Sequence, residues 1–196
     1  MWGAEQAPSV GRAVVLGFWL LSSSGCSVPR QAHEPRPYPE TRVDASRVEL
    51  HVQDTQPGNL PPSVQQLSLP KSFSASAQAR LNGVLAGHGP ALDVTVHVLA
   101  ADEAELLDAR GEMTRVRVKF GLEVRAEDGP VLRHAESESS SDLPRDEATD
   151  DEVEYLLLAT ALDAFDRYFA NPDTLLSINR ELAAYAGRHD KPDLPR

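Results

Sequence analysis

The sequence predicts an α+β fold: a two-layer sandwich whose mostly antiparallel sheet of about four strands is covered on one face by helices, in the order β-α-β-β-β-α-α. Three observations lead there. Three stretches alternate aliphatic and polar residues with period two, so each offers a single face for burial. Three further stretches carry apolar residues at helical spacing and can supply the second layer. The strand regions lack the continuous apolar run of a sheet covered on both faces.

In chain order, Val48, Leu50 and Val52 alternate with Arg47, Glu49, His51 and Gln53 to give the first strand. Asp54 to Asn59 reads as a turn, and Leu60 to Pro70 as a proline-containing connection. Phe73, Ala77, Leu81 and Val84 then recur at helical spacing up to Gly87, which predicts a helix over 72–86. If the strands flanking it are parallel, this helix is a right-handed crossover. Leu92, Val94, Val96 and Val98 alternate with Asp93, Thr95 and His97 in a second strand. The third is the clearest, with Val116, Val118, Phe120, Leu122 and Val124 set against Arg115, Arg117, Lys119, Gly121 and Glu123. Asp128-Gly129 is a hairpin signal, and Val131 to Ala135 should follow as the fourth strand.

Glu136 to Glu154 holds nine acidic residues and one basic, Arg145, with Pro144 inside, and reads as a solvated loop running into a helix start. Thr149 and Glu152 have capping-box spacing. The next helix buries Val153, Leu157, Leu158, Leu162, Phe165 and Phe169 and ends at Asn171-Pro172. A last helix from about Asp173 to Ala186 puts Leu175, Ile178, Leu182 and Tyr185 on one face before Gly187 stops it.

Composition limits the function. With 30 Asp plus Glu against 19 Lys plus Arg, the net charge of −11 opposes electrostatic binding to nucleic acid. One cysteine excludes an intramolecular disulfide and a cysteine-rich zinc site. That cysteine, Cys26, follows Arg12, the apolar run Ala13 to Leu21 and the small residues SSSG. The run is far short of the roughly 20 apolar residues a membrane span needs, and it has the order of a secretory signal.

Leu21 to Cys26 (LSSSGC) resembles the lipobox of bacterial lipoproteins. The resemblance implies cleavage of residues 1–25 and lipid modification of Cys26, which anchors the mature chain in a membrane. A plain cleaved signal with a free thiol and an uncleaved hydrophobic arm are the other readings. Ser27 is not the Asp that often retains enteric lipoproteins at the inner membrane, so the expected address is the outer membrane of a Gram-negative bacterium, facing the periplasm. Residues 26–46, with Pro29, Pro35, Pro37 and Pro39, read as an extended tether, 47–187 as the folded domain and 188–196 as a tail.

The domain itself resembles YajG-type envelope lipoproteins and, more distantly, lipopolysaccharide-assembly and transport-auxiliary lipoproteins. The likeness lies in VQDTQP, LDVTVHV, GEMTRVRVKF and SINRELAAY. It implies an accessory role in the envelope and no known reaction.

Candidate chemistry is sparse. Ser68-Leu69-Pro70-Lys71 matches S-x-x-K, yet Pro70 opposes the helical turn that would bring lysine to serine. His33-Glu34 lacks the second histidine of a zincin helix. The acidic run lacks the spacing of a calcium loop. His51 and His97 share the polar strand face and could be neighbours if their strands pair, although two imidazoles without a third ligand make a poor metal site. Arg115, Arg117, Lys119 and Arg125 form a basic row on the open face of the third strand. The row either pairs with acidic neighbours across the sheet or docks an acidic partner protein or anionic envelope component.

The sequence therefore points to a lipid-anchored, non-enzymatic periplasmic protein that binds a partner in envelope assembly, maintenance or transport, with no cofactor. The alternatives are a metal-dependent enzyme using the polar sheet face around His51 and His97, and a purely structural lipoprotein.

Overall fold

The computed structural model describes Pro37 and residues 39–189. The expected leader, Cys26, His33-Glu34, Tyr38 and most of the expected tether lie outside the described residues. The elements are β1 (Val48–Asp54), β2 (Val64–Gln66), α1 (Ser72–Val84), β3 (Leu92–Asp108), β4 (Gly111–Ala126), β5 (Val131–Pro144), α2 (Asp150–Phe169) and α3 (Pro172–His189), with a 3-10 turn at Arg145–Glu147 before α2. None of the described helices is long and apolar enough to cross a membrane.

The sheet has the order β1-β3-β4-β5, and β2 adds to β3 beyond the end of β1. β1 runs parallel to β3, as a connection containing α1 permits, and the other pairs are antiparallel. Helices cover one face: α1 packs on β1 and α2, α2 on β4 and β5, and α3 on α2 and β5. This is the α+β sandwich that the one-sided strands require. Its core joins Val94, Val96, Val98, Val116, Val118, Phe120, Leu122 and Val124 of the sheet to Phe73, Phe165, Leu175 and Ile178 of the helices. Phe73 links the layers, its ring centroid 5.3 Å from that of Phe120 and 6.2 Å from that of Phe165. Burying each such aromatic contributes about 1.5–3 kcal/mol.

The second and third helices begin for local reasons. Thr149 caps α2 by accepting a hydrogen bond from the Glu152 backbone N–H at 3.4 Å, and Asp150, Asp151 and Glu152 complement the helix dipole. Asn171 accepts from the Asp173 backbone N–H at 2.9 Å, so Asn171-Pro172 both closes α2 and opens α3. The last helix continues through Gly187 to His189, past its expected stop and into the expected tail.

The strands depart further from expectation. β3 runs ten residues beyond Val98, because a bulge at Leu99 hides the continuation. The extra residue reverses the parity of the alternation, so Ala101 occupies the covered face and Asp102 the open one. The bulge is stabilised from the side: the Ala101 backbone N–H donates to Gln56 Oε1 at 2.7 Å, and the Thr55 N–H to the Val98 carbonyl at 3.1 Å. The expected connection 60–70 includes β2, three residues long and too short to show a period.

The acidic stretch after Ala135 is a correction. Residues 136–144 continue β5 against β4 and are not a solvated loop. Ser137, Ser139 and Ser141 stand opposite Phe120, Val118 and Val116 on the covered face. Their hydroxyls meet α2: Ser137 Oγ donates to the Ala164 carbonyl at 2.5 Å, Ser139 Oγ to Asp163 Oδ2 at 2.7 Å, and Thr160 Oγ1 to Ser141 Oγ at 2.9 Å.

The fold also starts before Arg47. Val43 and Ala45 are buried, and Val43 bridges to Leu85 after α1. Asn179 of α3 clasps this segment, its side chain bonding the Arg42 carbonyl at 2.8 Å and the Asp44 N–H at 2.9 Å. Gly89, at φ +96°, passes so close that a Cβ there would lie 2.2 Å from the Asp44 carbonyl oxygen, and only glycine fits.

Candidate functional site

The open face of the sheet is built by the same alternation that fills the core. From β1 it takes Glu49, His51 and Gln53, from β3 Asp93, Thr95, His97 and Asp102, and from β4 the odd-numbered residues 115–125. From β5 it takes His134, Glu136, Glu138, Ser140 and Asp142. None of the described helices covers this face, and it carries charge in both signs.

All four residues of the expected basic row lie on it, and each is paired. Arg115 meets Asp142 in a two-pronged contact, its Nε 2.7 Å from Oδ1 and its NH2 nitrogen 3.0 Å from Oδ2. The Arg117 guanidinium reaches Asp102, directly opposite on β3, at 2.7 Å. Lys119 Nζ lies 2.6 Å from Glu136, and Arg125 lies 2.8 Å from Glu123 on its own strand. Arg110, in the β3–β4 turn, adds a second cation to Asp142 at 2.7 Å. The row is thus the middle of a lattice in which carboxylates of β3 and β5 hold Arg115, Arg117 and Lys119, and Glu123 of β4 itself holds Arg125.

The pairing sets the protonation states. The hydrogen bond from Arg115, followed by that from Arg110, holds the Asp142 carboxyl below the ordinary carboxylate range. Lys119 does the same for Glu136, and Glu136 in turn raises the Lys119 ammonium. Asp102 holds the Arg117 guanidinium more firmly protonated. Asp102 is itself buried although it sits on the open face, with only 4% of its surface exposed.

His51 and His97 share the open face but do not converge. In the parallel register His51 stands beside Thr95, and His97 beside Gln53. His51 instead has Glu49 at 3.9 Å, and Glu49, His51 and Asp93 bring three donor atoms within 4.8 Å of one another. Ser68 and Lys71 are exposed on either side of Pro70, ahead of α1. His88 lies in the loop after α1, 3.7 Å from Asp44, and His134 stands opposite Glu123.

The residues missed from sequence are the anionic half of the lattice. Glu136, Glu138 and Asp142 recur at even intervals, a period-two signal that the low hydrophobicity of their serine neighbours obscures.

No protein-family model matches the chain. A comparison with curated proteins gives no match. Solved structures are similar in part. A minor lipoprotein of Acinetobacter baumannii aligns at 14% identity over 74% of this chain and 95% of its own, with a TM-score of 0.39. A protein of Helicobacter pylori described as a homolog of the neuraminyllactose-binding hemagglutinin aligns at 12% identity over 76% of this chain and 97% of its own, TM-score 0.44. A lipoprotein of Caulobacter crescentus CB15 aligns at 14% identity over 71% and 92%, TM-score 0.31.

Proposed function

We propose that this chain is a lipid-anchored accessory protein of the outer membrane, facing the periplasm, that binds a partner in envelope assembly, maintenance or transport through its open sheet face. The carrying observation is a broad charged sheet face that no described helix covers, in a chain whose only cysteine follows an apolar run near its N-terminus. Cys26 carries the lipid in this reading, and the proline-rich segment after it holds the domain off the bilayer. Arg115, Arg117, Lys119 and Arg125 are the cationic side of the docking surface. Their carboxylate partners hold them in place, so a partner of mixed charge meets side chains already ordered, which lowers the entropic cost of binding.

Metabolic labelling with palmitate tests the anchor. The wild-type chain should take up label and sediment with outer membranes, and Cys26→Ala should do neither. An unlabelled, uncleaved chain in the cytosol would overturn the reading. The docking surface is tested by a photocrosslinker at Glu138: one envelope partner should be captured, and Arg117→Glu should abolish its capture. Capture unchanged by that charge reversal removes the basic row from the interface.

A further inference from the structure

We propose that Glu49, His51 and Asp93 form a binding site for a divalent transition ion of the Zn2+ class at the β1 edge of the open face. The register builds it. Glu49 and His51 are two residues apart on β1 and so project to one side, and parallel pairing sets Asp93 beside Glu49. The three donor atoms already lie within 4.8 Å of one another.

This corner differs from the rest of the lattice. Asp102, Glu136 and Asp142 are each paired with a cation of the basic row, whereas Glu49 and Asp93 place two like charges side by side, an arrangement that destabilises a sheet unless something offsets it. No hydrogen bond or ion pair from any described residue reaches the Asp93 carboxylate. Arg125 stands opposite Asp93 but is turned to Glu123 at 2.8 Å and the Gly129 carbonyl at 3.3 Å. A dication supplies the missing positive charge.

The donor set selects the ion. An imidazole nitrogen with two carboxylates suits Zn2+ and its first-row neighbours, while Mg2+ and Ca2+ prefer oxygen donors alone. Ligands around a tetrahedral Zn2+ are about 3.3 Å apart, given bond lengths of about 2.0 Å. Rotation of the exposed Glu49 and His51 side chains closes the difference while the strands stay fixed. Three protein donors leave a fourth position for water or for a group from a docking partner.

Equilibrium dialysis of the full chain, purified in detergent and stripped with chelator, tests the site with Zn2+ in the presence of excess Mg2+. Wild type should bind one Zn2+ saturably. His51→Ala and Asp93→Asn should each weaken binding at least about tenfold, since loss of outer-sphere partners alone costs about 10–100-fold. His97→Ala, on the same face but outside the set, should stay within about twofold. Without metal, His51→Ala and His97→Ala should unfold with wild type and Asp93→Asn no earlier than it, since the neutral side chain relieves the repulsion with Glu49; added Zn2+ should raise the midpoint of wild type and His97→Ala only. Absence of saturable binding, smaller losses in both ligand variants, or an equal loss in His97→Ala would each overturn the proposal.

Discussion

On the covered face of the sheet, adjacent strands solve one packing problem in opposite ways. β4 presents Val116, Val118, Phe120, Leu122 and Val124 to the helices, all fully buried. β5 presents Ser137, Ser139 and Ser141 in register beside them and meets α2 through hydroxyl hydrogen bonds. The first seam is held by area removed from water and tolerates rotation of the helix. The second fixes direction, because a hydroxyl bond fails when its partner moves by an ångström. The helix is thus held by apolar contact over β4 and aligned by polar contact over β5.

The largest effect should come from breaking the apolar seam. Phe120→Ala should cost about 3–5 kcal/mol, measured by urea unfolding, because the cavity lies where Phe73 packs. A loss comparable to a surface substitution would mean the two layers do not meet there. Breaking the polar seam should cost less: Ser139→Ala should lose about 1–2 kcal/mol by the same measurement, since Asp163 keeps Arg167 at 2.8 Å as a partner. If the serine variant proved the more damaging, alignment rather than burial would dominate the interface.

The open face sharpens the contrast, since its interactions answer to pH. The folded Asp142 carboxyl is held down by Arg115 and Arg110. Its stabilisation is therefore present above the unfolded value of about 3.9 and is lost as pH falls through the folded value. Asp142→Asn should be less stable than wild type at pH 7, and the gap should close as the pH drops below about 4. A gap constant with pH would show that the pair does not titrate with folding. The smallest effect should be that of Lys119→Ala, whose exposed pair with Glu136 is screened by solvent and salt, so its unfolding midpoint should not move measurably.

What was legible in the chain follows the same division. Val116 to Val124 announced β4 because each covered position is apolar, and Phe73, Ala77, Leu81 and Val84 announced α1 for the same reason. The second half of β5 was unreadable because its covered residues are serines, and the second half of β3 because the Leu99 bulge reverses the alternation midway. The row Arg115, Arg117, Lys119 and Arg125 was legible as one face of one strand. Its partners Asp102 and Asp142 lie on other strands, and only pairing register brings them near. Likewise His51 was visible as a candidate, but its neighbours proved to be Glu49 and Asp93 rather than His97.

Periodicity along the chain was enough to determine the class of fold, the sidedness of the strands and the start of α2 at Thr149, since these depend on residues a few positions apart. The tertiary structure alone decided the strand order, the parity change at Leu99, the docking of Val43 and Ala45 under Asn179, and the charge lattice. Each of those joins residues distant in sequence, and no local pattern carries the register that brings them together.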